Sequence, residues 1–255
     1  MSFIDVLRGE VVKAWTLRSL RLTILATAAL SLAFCLIDAG PELGLSTPQT
    51  AGVYAMANFS FFAAIAGVLI ASSEYGGGQL TTTALAVPRR GRTLTAKLTL
   101  SAIITTAQGL ILAAFIATVH QFPLGDQSVY ATNTASTLLS SLALAICSWT
   151  AVGILSTCIA FIIRSQTVAL AGMIVLTFGG TPLMMALPIF QYLPTNAGVL
   201  MFIDRENQTS DWLNPPDITV PVAGATLAAW CIVAIIAATV VLLRRDIGAR
   251  QASLE

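Results

Sequence analysis

The stretch SSEYGGGQLTTTALAVPRRGR, Ser72 to Arg92, gathers three consecutive glycines, three consecutive threonines and three arginines in a chain that is 56% hydrophobic and 10% charged. It separates two apolar runs, and each run is too long and too poor in charge to be the helix of a soluble core. The segment reads as a loop between membrane spans, and its position sets the count and direction of the spans on either side.

Mean hydropathy of +0.83 and the low charge content lie outside the soluble globular range, where about a quarter of residues are charged. The composition is that of an integral membrane protein. Cys35, Cys147, Cys158 and Cys231 fall inside apolar runs without CxxC spacing or companion histidines, which argues for small buried hydrophobes rather than disulfides or a metal site. LAFC at Leu32 to Cys35 has bulky Phe34 where a lipoprotein cleavage box needs a small residue. Too little apolar sequence precedes the A-x-A at Ala26 and Ala28 for signal-peptide cleavage, so the first run is expected to be retained.

A hydrocarbon core about 30 Å thick needs ~20 apolar residues at ~1.5 Å rise. Six runs meet this: Leu20 to Ala39, Ala51 to Ser73, Leu94 to Val119, Ala135 to Ile163, Val168 to Leu187 and Val220 to Leu243. The expected architecture is all-α, one transmembrane domain over residues 1–255, with an inner loop at 74–93, an outer region at 188–219 and a tail at 244–255. Of the 13 basic residues, all but Arg205 fall on one side of this topology: Arg8, Lys13, Arg18, Arg21, Arg89, Arg90, Arg92, Lys97, Arg164, Arg244, Arg245 and Arg250. The positive-inside rule then places both termini and the 74–93 loop in the cytoplasm.

Residues 1–19 form a separate element. At helical period Phe3, Ile4, Leu7, Val11, Ala14 and Trp15 share a face, Asp5, Gly9, Lys13 and Thr16 lie opposite, and Arg8 and Glu10 flank the boundary. The pattern predicts an amphipathic helix lying in the inner interface, in contact with membrane lipids, with Trp15 at headgroup depth. Both a plain anchor and a functional elbow fit it.

Within the loop, Glu74 ends the apolar run and Gly76 to Gly78 permit a reversal. Gln79 to Val87 suit a short helix that Pro88 stops. Arg89, Arg90 and Arg92 return the chain to the anionic leaflet, where Lys97 is expected to snorkel.

No Asp, Glu, Lys or Arg lies near the centre of any run, which disfavours coupling to a proton gradient. His120, the single histidine, falls at the outer end of the third run. There is no HExxH, no intramembrane Ser/His/Asp set and no GxxxxGK[ST], so neither catalysis nor nucleotide hydrolysis is expected of this chain, and no metal site. Asn133, Thr137, Ser140 and Ser148 fall on one face of the fourth run, with Asn58 and Gln108 as isolated polar residues in the second and third. These residues fit either a lining for amphipathic cargo or helix packing in lipid.

The pattern EYGGGQLTTTALAVPRRGRTLTAKL, Glu74 to Leu98, together with YLPTNAG at Tyr192 to Gly198 and LLRRDIGAR at Leu242 to Arg250, resembles the type 2 ABC permeases, particularly compact bacterial exporters of actinobacterial style. The resemblance spans the chain in layout. It implies that Gln79, Leu80, Thr81, Thr82, Thr83, Ala84, Leu85 and Val87 form a coupling helix that docks on an ATPase, with Gly78 at its start and Glu74 bracing it. It also implies an elbow helix carrying Phe3, Leu7, Val11 and Trp15, and broken, partly re-entrant outer helices at Pro182, Pro188 and Pro194. The implied partners are two copies of an ABC ATPase that bind ATP and Mg, and a second permease, identical or related. The implied place is the bacterial cell membrane and the implied role is export of a drug, antibiotic, lipid or peptide, with no nucleic acid involved. Gly78-Gln79 departs from the commoner glycine-threonine of that family. Two other classes compete: a membrane immunity or sensor protein that sequesters a peptide or antibiotic without moving it, and an intramembrane enzyme acting on lipids.

Overall fold

The structure is a computed structural model and describes residues 3–38, 53–73, 90–120, 135–203 and 216–244. Among the described residues it is helical throughout, with no strand. In chain order the elements are α1 (Phe3–Thr16), α2 (Arg18–Asp38), α3 (Val53–Asn58), α4 (Phe61–Ser72) and α5 (Arg90–Phe115), which runs on as a π turn, Ile116–His120. Then come α6 (Ala135–Ile163), α7 (Gln166–Ala186), a 3-10 turn (Pro188–Tyr192), α8 (Pro194–Leu200) and α9 (Val220–Arg244).

Five stretches are long and apolar enough to cross a membrane: Ala55–Ser72, Gly91–Thr118, Ser136–Ile163, Gln166–Ala186 and Val220–Arg244. They make this a multi-pass membrane protein. The first of the six expected runs reaches the same standard only when α1 is joined to α2, and the two are bent by 72°. Arg18 and Arg21 in the opening turns of α2 dilute its apolar character.

Helix α6 is the hub, packed against α4, α5 and α9. Lipid tails are as apolar as leucine, so these contacts cannot rest on water exclusion and depend on close packing and hydrogen bonds. The sequence supplies both. The buried face of α4 is largely alanine and glycine (Ala63, Ala64, Ala66, Gly67, Ala71), which lets α6 approach until Gly67 lies against Ser156 and the Gly153 carbonyl. Where α4, α5 and α6 meet, Ser101 donates to Gly153 O at 3.0 Å, and the Thr157 hydroxyl lies 2.9 Å from Ser101 Oγ and 3.1 Å from Gly67 O. Gln108 of α5 donates to Thr27 of α2 at 3.1 Å.

Several expectations are corrected. The second run is not one straight helix: it breaks at Phe59–Ser60, between α3 and α4. Helix α5 starts at Arg90 rather than Leu94, and Thr95 reinforces that first turn by donating to the carbonyls of Gly91 and Arg92. Pro182 does not break its helix. It lies inside α7, and the breaks that follow this helix fall at Pro188 and Pro194, each opening a new turn where a missing amide costs nothing.

The face assigned to α1 also divides. Phe3, Ile4, Val11 and Trp15 point outward, but the stripe turned into the bundle is Val6, Glu10 and Ala14, four residues apart, with Leu7 beside it. Glu10 does not flank a boundary; it is buried. Lys97 does not snorkel either, for the reason given below.

Candidate functional site

A cavity of about 350 Å³ lies between the break in the second span, α7 and α8. Its shape starts from the break. In an unbroken helix the Ser60 amide would reach back four residues to Met56 O. Here Ser60 N–H is directed at Ala57 O at 3.4 Å and the Ser60 hydroxyl donates to the same carbonyl at 2.9 Å. Met56 O is taken instead by the indole N–H of Trp149, at 2.9 Å, from the fully buried centre of α6. The displaced turn leaves Asn58 exposed at the cavity wall beside Ala57 and Ser60.

Helix α7 supplies the opposite wall through Thr177, Phe178, Thr181, Pro182 and Met184. The ring of Phe178 packs on Phe61 with centroids 5.0 Å apart, which ties α7 to the first turn of α4.

The end of the cavity is closed by α8, held by two side chains of its first turn. Thr195 donates to Leu176 O at 3.1 Å, while Asn196, buried, donates to both Gly180 O at 2.9 Å and Phe190 O at 2.8 Å. Gly180 leaves room for this arrangement: a Cβ there would stand 2.7 Å from Asn196 Oδ1 and displace that amide. Gly198 lies against Ser148 Oγ of α6. Three further bonds fix the turn before α8: Trp230 donates to Tyr192 O at 2.9 Å, and Gln191 and Asp217 exchange a reciprocal pair at 2.6 and 3.1 Å.

None of the residues lining the cavity is charged. Its surface offers aliphatic and aromatic contact with a few hydroxyl and amide groups, the make-up of a site for an uncharged amphipathic molecule. Among the described residues no cluster of three or more His, Cys, Asp or Glu is placed to hold a metal ion.

The charged chemistry lies at the other end of the bundle. Lys97, in the second turn of α5 and 1% exposed, reaches Glu10 Oε2 of α1 at 2.7 Å; Glu10 itself is 4% exposed. The same ammonium donates to Ile70 O at 3.0 Å and lies 3.5 Å from Ser73 Oγ, at the end of α4. Lys13 donates to the other Glu10 oxygen at 3.0 Å. A buried charge is tolerated when it is paired and its remaining hydrogen-bonding sites are filled, and a cation also suits the carbonyl end of a helix. Lys97 meets both conditions, so pairing with Glu10 replaces the expected snorkelling. These atoms tie together α1, the residues just before the 74–89 segment and the helix that begins just after it.

Of the residues singled out from sequence, the structure brings Asn58 to the cavity, with Pro182 on its far wall. Ser148 is buried behind α8 rather than on the cavity. Thr137 and Ser140 are exposed on the first turns of α6, away from it, and Ser140 donates to Thr137 O. Phe3, Val11 and Trp15 form the outward face of α1, Leu7 lies beside its buried stripe, and Pro188 and Pro194 open the turns around the closing helix. Asn133, and the loop residues Glu74, Gly78, Gln79, Leu80, Thr81, Thr82, Thr83, Ala84, Leu85 and Val87, lie outside the described residues.

Sequence reasoning missed Trp149, Gly180, Asn196 and the Glu10–Lys97 pair. Three of these left a trace: a tryptophan in mid-span rather than at an interface, an Asn inside an apolar segment, and opposite charges on two elements that both enter the bundle from its basic end; Gly180 left none. Compared with protein-family models and with curated proteins, the chain matches none.

Proposed function

We propose that this chain is the membrane-spanning subunit of an ABC-type exporter, forming part of the passage for an uncharged hydrophobic or amphipathic substrate, and that a separate ATPase powers it. The observation that carries the proposal is the uncharged cavity at the broken second span, roofed by α8 and walled by α7. Apolar surface with scattered hydroxyls and amides suits cargo that partitions into lipid. The runs carry no central acid or base through which an ion gradient could act, so energy has to enter from outside the bundle. The 74–93 loop, on the inner face by the positive-inside rule, is the entry point implied by its resemblance to permease coupling loops. Paired chains, identical or related, would complete the passage in the bacterial cell membrane with both termini cytoplasmic, and ATP and Mg would bind on two ATPase subunits.

The test is co-expression of the chain with its neighbouring genes, purification with any ATPase that it binds, and reconstitution in vesicles loaded with a fluorescent amphiphile. ATP-dependent movement of the amphiphile is expected, with loss on Leu80→Asp or on deletion of Thr81 to Leu85 while membrane insertion persists. Transport at the wild-type rate in those variants would remove the loop from the coupling role. Protection without ATP-dependent movement would instead identify a sequestering immunity or sensor protein.

A further inference from the structure

The Glu10–Lys97 pair has a placement that stability does not explain. A buried ion pair is a weak source of stability, because the cost of stripping water from two charges offsets much of their attraction, and apolar replacements of similar volume are often neutral or better. What such a pair provides is position: two elements joined by it meet in one register. Lys97 reaches three elements at once through its own helix α5, the end of α4 by way of Ile70 O and Ser73 Oγ, and α1 by way of Glu10. The segment 74–89 leaves from the second of these and returns into the first. A displacement of that segment therefore shifts one or both strands of chain that hold the ammonium, and the ammonium in turn holds α1.

We propose that Lys97 is a positioning residue that transmits displacement of the 74–89 segment to α1, so that α1 moves with the loop rather than serving as a passive anchor. The functional meaning of this link rests on the exporter proposal, but the link itself is a property of this chain alone. Two features make α1 a suitable receiver. It is bent by 72° from α2 at Leu17, so it can tilt about that corner without unwinding α2. Its outward face carries Phe3, Ile4, Val11, Val12 and Trp15, so a tilt changes how deeply an apolar surface sits in the leaflet.

The decisive experiment needs no ATPase. Hydrogen exchange of the α1 amides is measured on the full chain in lipid nanodiscs in four forms. These are wild type, the Thr81–Leu85 deletion, the double substitution Glu10→Leu with Lys97→Met, and the deletion combined with the double substitution. The double substitution removes both charges of the pair together, and an unchanged pattern of exchange in α6 verifies that the bundle stays folded. In the wild-type background the deletion is expected to raise α1 exchange about tenfold, and in the doubly substituted background less than threefold, as local opening becomes independent of the loop. A response below threefold in the wild-type background, or of threefold or more in the doubly substituted one, overturns the inference. A second arm separates this outcome from the fate of the exporter proposal. With the ATPase bound, the doubly substituted chain is expected to keep ATP hydrolysis within twofold and to lose at least tenfold in cargo moved per ATP. If the wild-type chain binds no ATPase, the exporter proposal fails while the exchange result still decides the link.

Discussion

Trp149 holds the carbonyl of Met56 at 2.9 Å, replacing the amide that the turn at Phe59–Ser60 withdraws from it. The break and the tryptophan are complementary: one frees a buried acceptor and the other supplies a donor from a different helix. Trp149→Phe keeps most of the ring and removes the N–H. The expected cost is about 1–3 kcal/mol for a buried carbonyl left unsatisfied, seen as a lower unfolding midpoint in lipid or mild detergent. An unchanged midpoint would mean that α3 and α4 can re-form a continuous helix and recover the bond internally.

Two glycines allow a differential test of packing. A Cβ on Gly67 would collide with Ser156 Oγ and the Gly153 backbone carbonyl, whereas one on Gly172 of α7 meets nothing within 4 Å. Gly67→Ala is expected to force α4 and α6 apart at a cost of about 1–3 kcal/mol or more, and Gly172→Ala to leave stability unchanged or slightly raised. Parallel thermal unfolding of the two variants checks this, and equal midpoints would contradict the close approach.

Asn196 carries the closing helix through two donated bonds, to Gly180 O and Phe190 O. Asn196→Leu leaves both carbonyls without that partner and is expected to cost about 1–3 kcal/mol for each that finds no substitute. The loss should be local, so hydrogen exchange in Pro194–Leu200 should rise well before that in Ala135–Ile163. Uniform acceleration along the chain would show that α8 is part of the cooperative core.

The cavity wall makes a prediction about charge. Asn58→Asp introduces a carboxylate of nearly the same volume into an uncharged site, and a charge in mid-span costs ~2.5–3.5 kcal/mol on insertion scales. Movement of an uncharged amphiphile in vesicles is expected to fall at least tenfold, while Asn58→Leu should change it by less. Equal activity in all three forms would place the passage elsewhere.

Much of the fold was legible because hydropathy and length act over whole runs. The fourth span has the same ends in sequence and structure, Ala135 and Ile163, and the third and sixth differ by a few residues at their ends. The break at Phe59–Ser60 was not legible. No proline or glycine marks it, and it is stabilised by Trp149, a donor 93 positions beyond Met56, whose carbonyl it takes. Lys97 was misjudged for a related reason. Near the end of a span a lysine ordinarily reaches for the headgroups, and the pairing with Glu10 depends on the folded position of another helix. Asn58 stood out in the sequence and lies on the cavity wall, but the cavity's location was not legible, because the polar face read along the fourth span is buried packing at Ser148 and exposed surface at Thr137 and Ser140. Local pattern identifies elements; pairings between distant elements decide which polar residues are spent on packing.

The central place of α6 has a consequence for biosynthesis. Ser101 is made well before its acceptor, the Gly153 carbonyl, 52 positions later, and at ~5–20 residues per second that gap lasts about 3–10 s. During that interval α4 and α5 carry hydroxyls and bare glycine surfaces whose counterparts have not yet left the ribosome. Substitutions that slow the entry of α6 should therefore lower the amount of protein recovered, while the molecules that do mature behave normally.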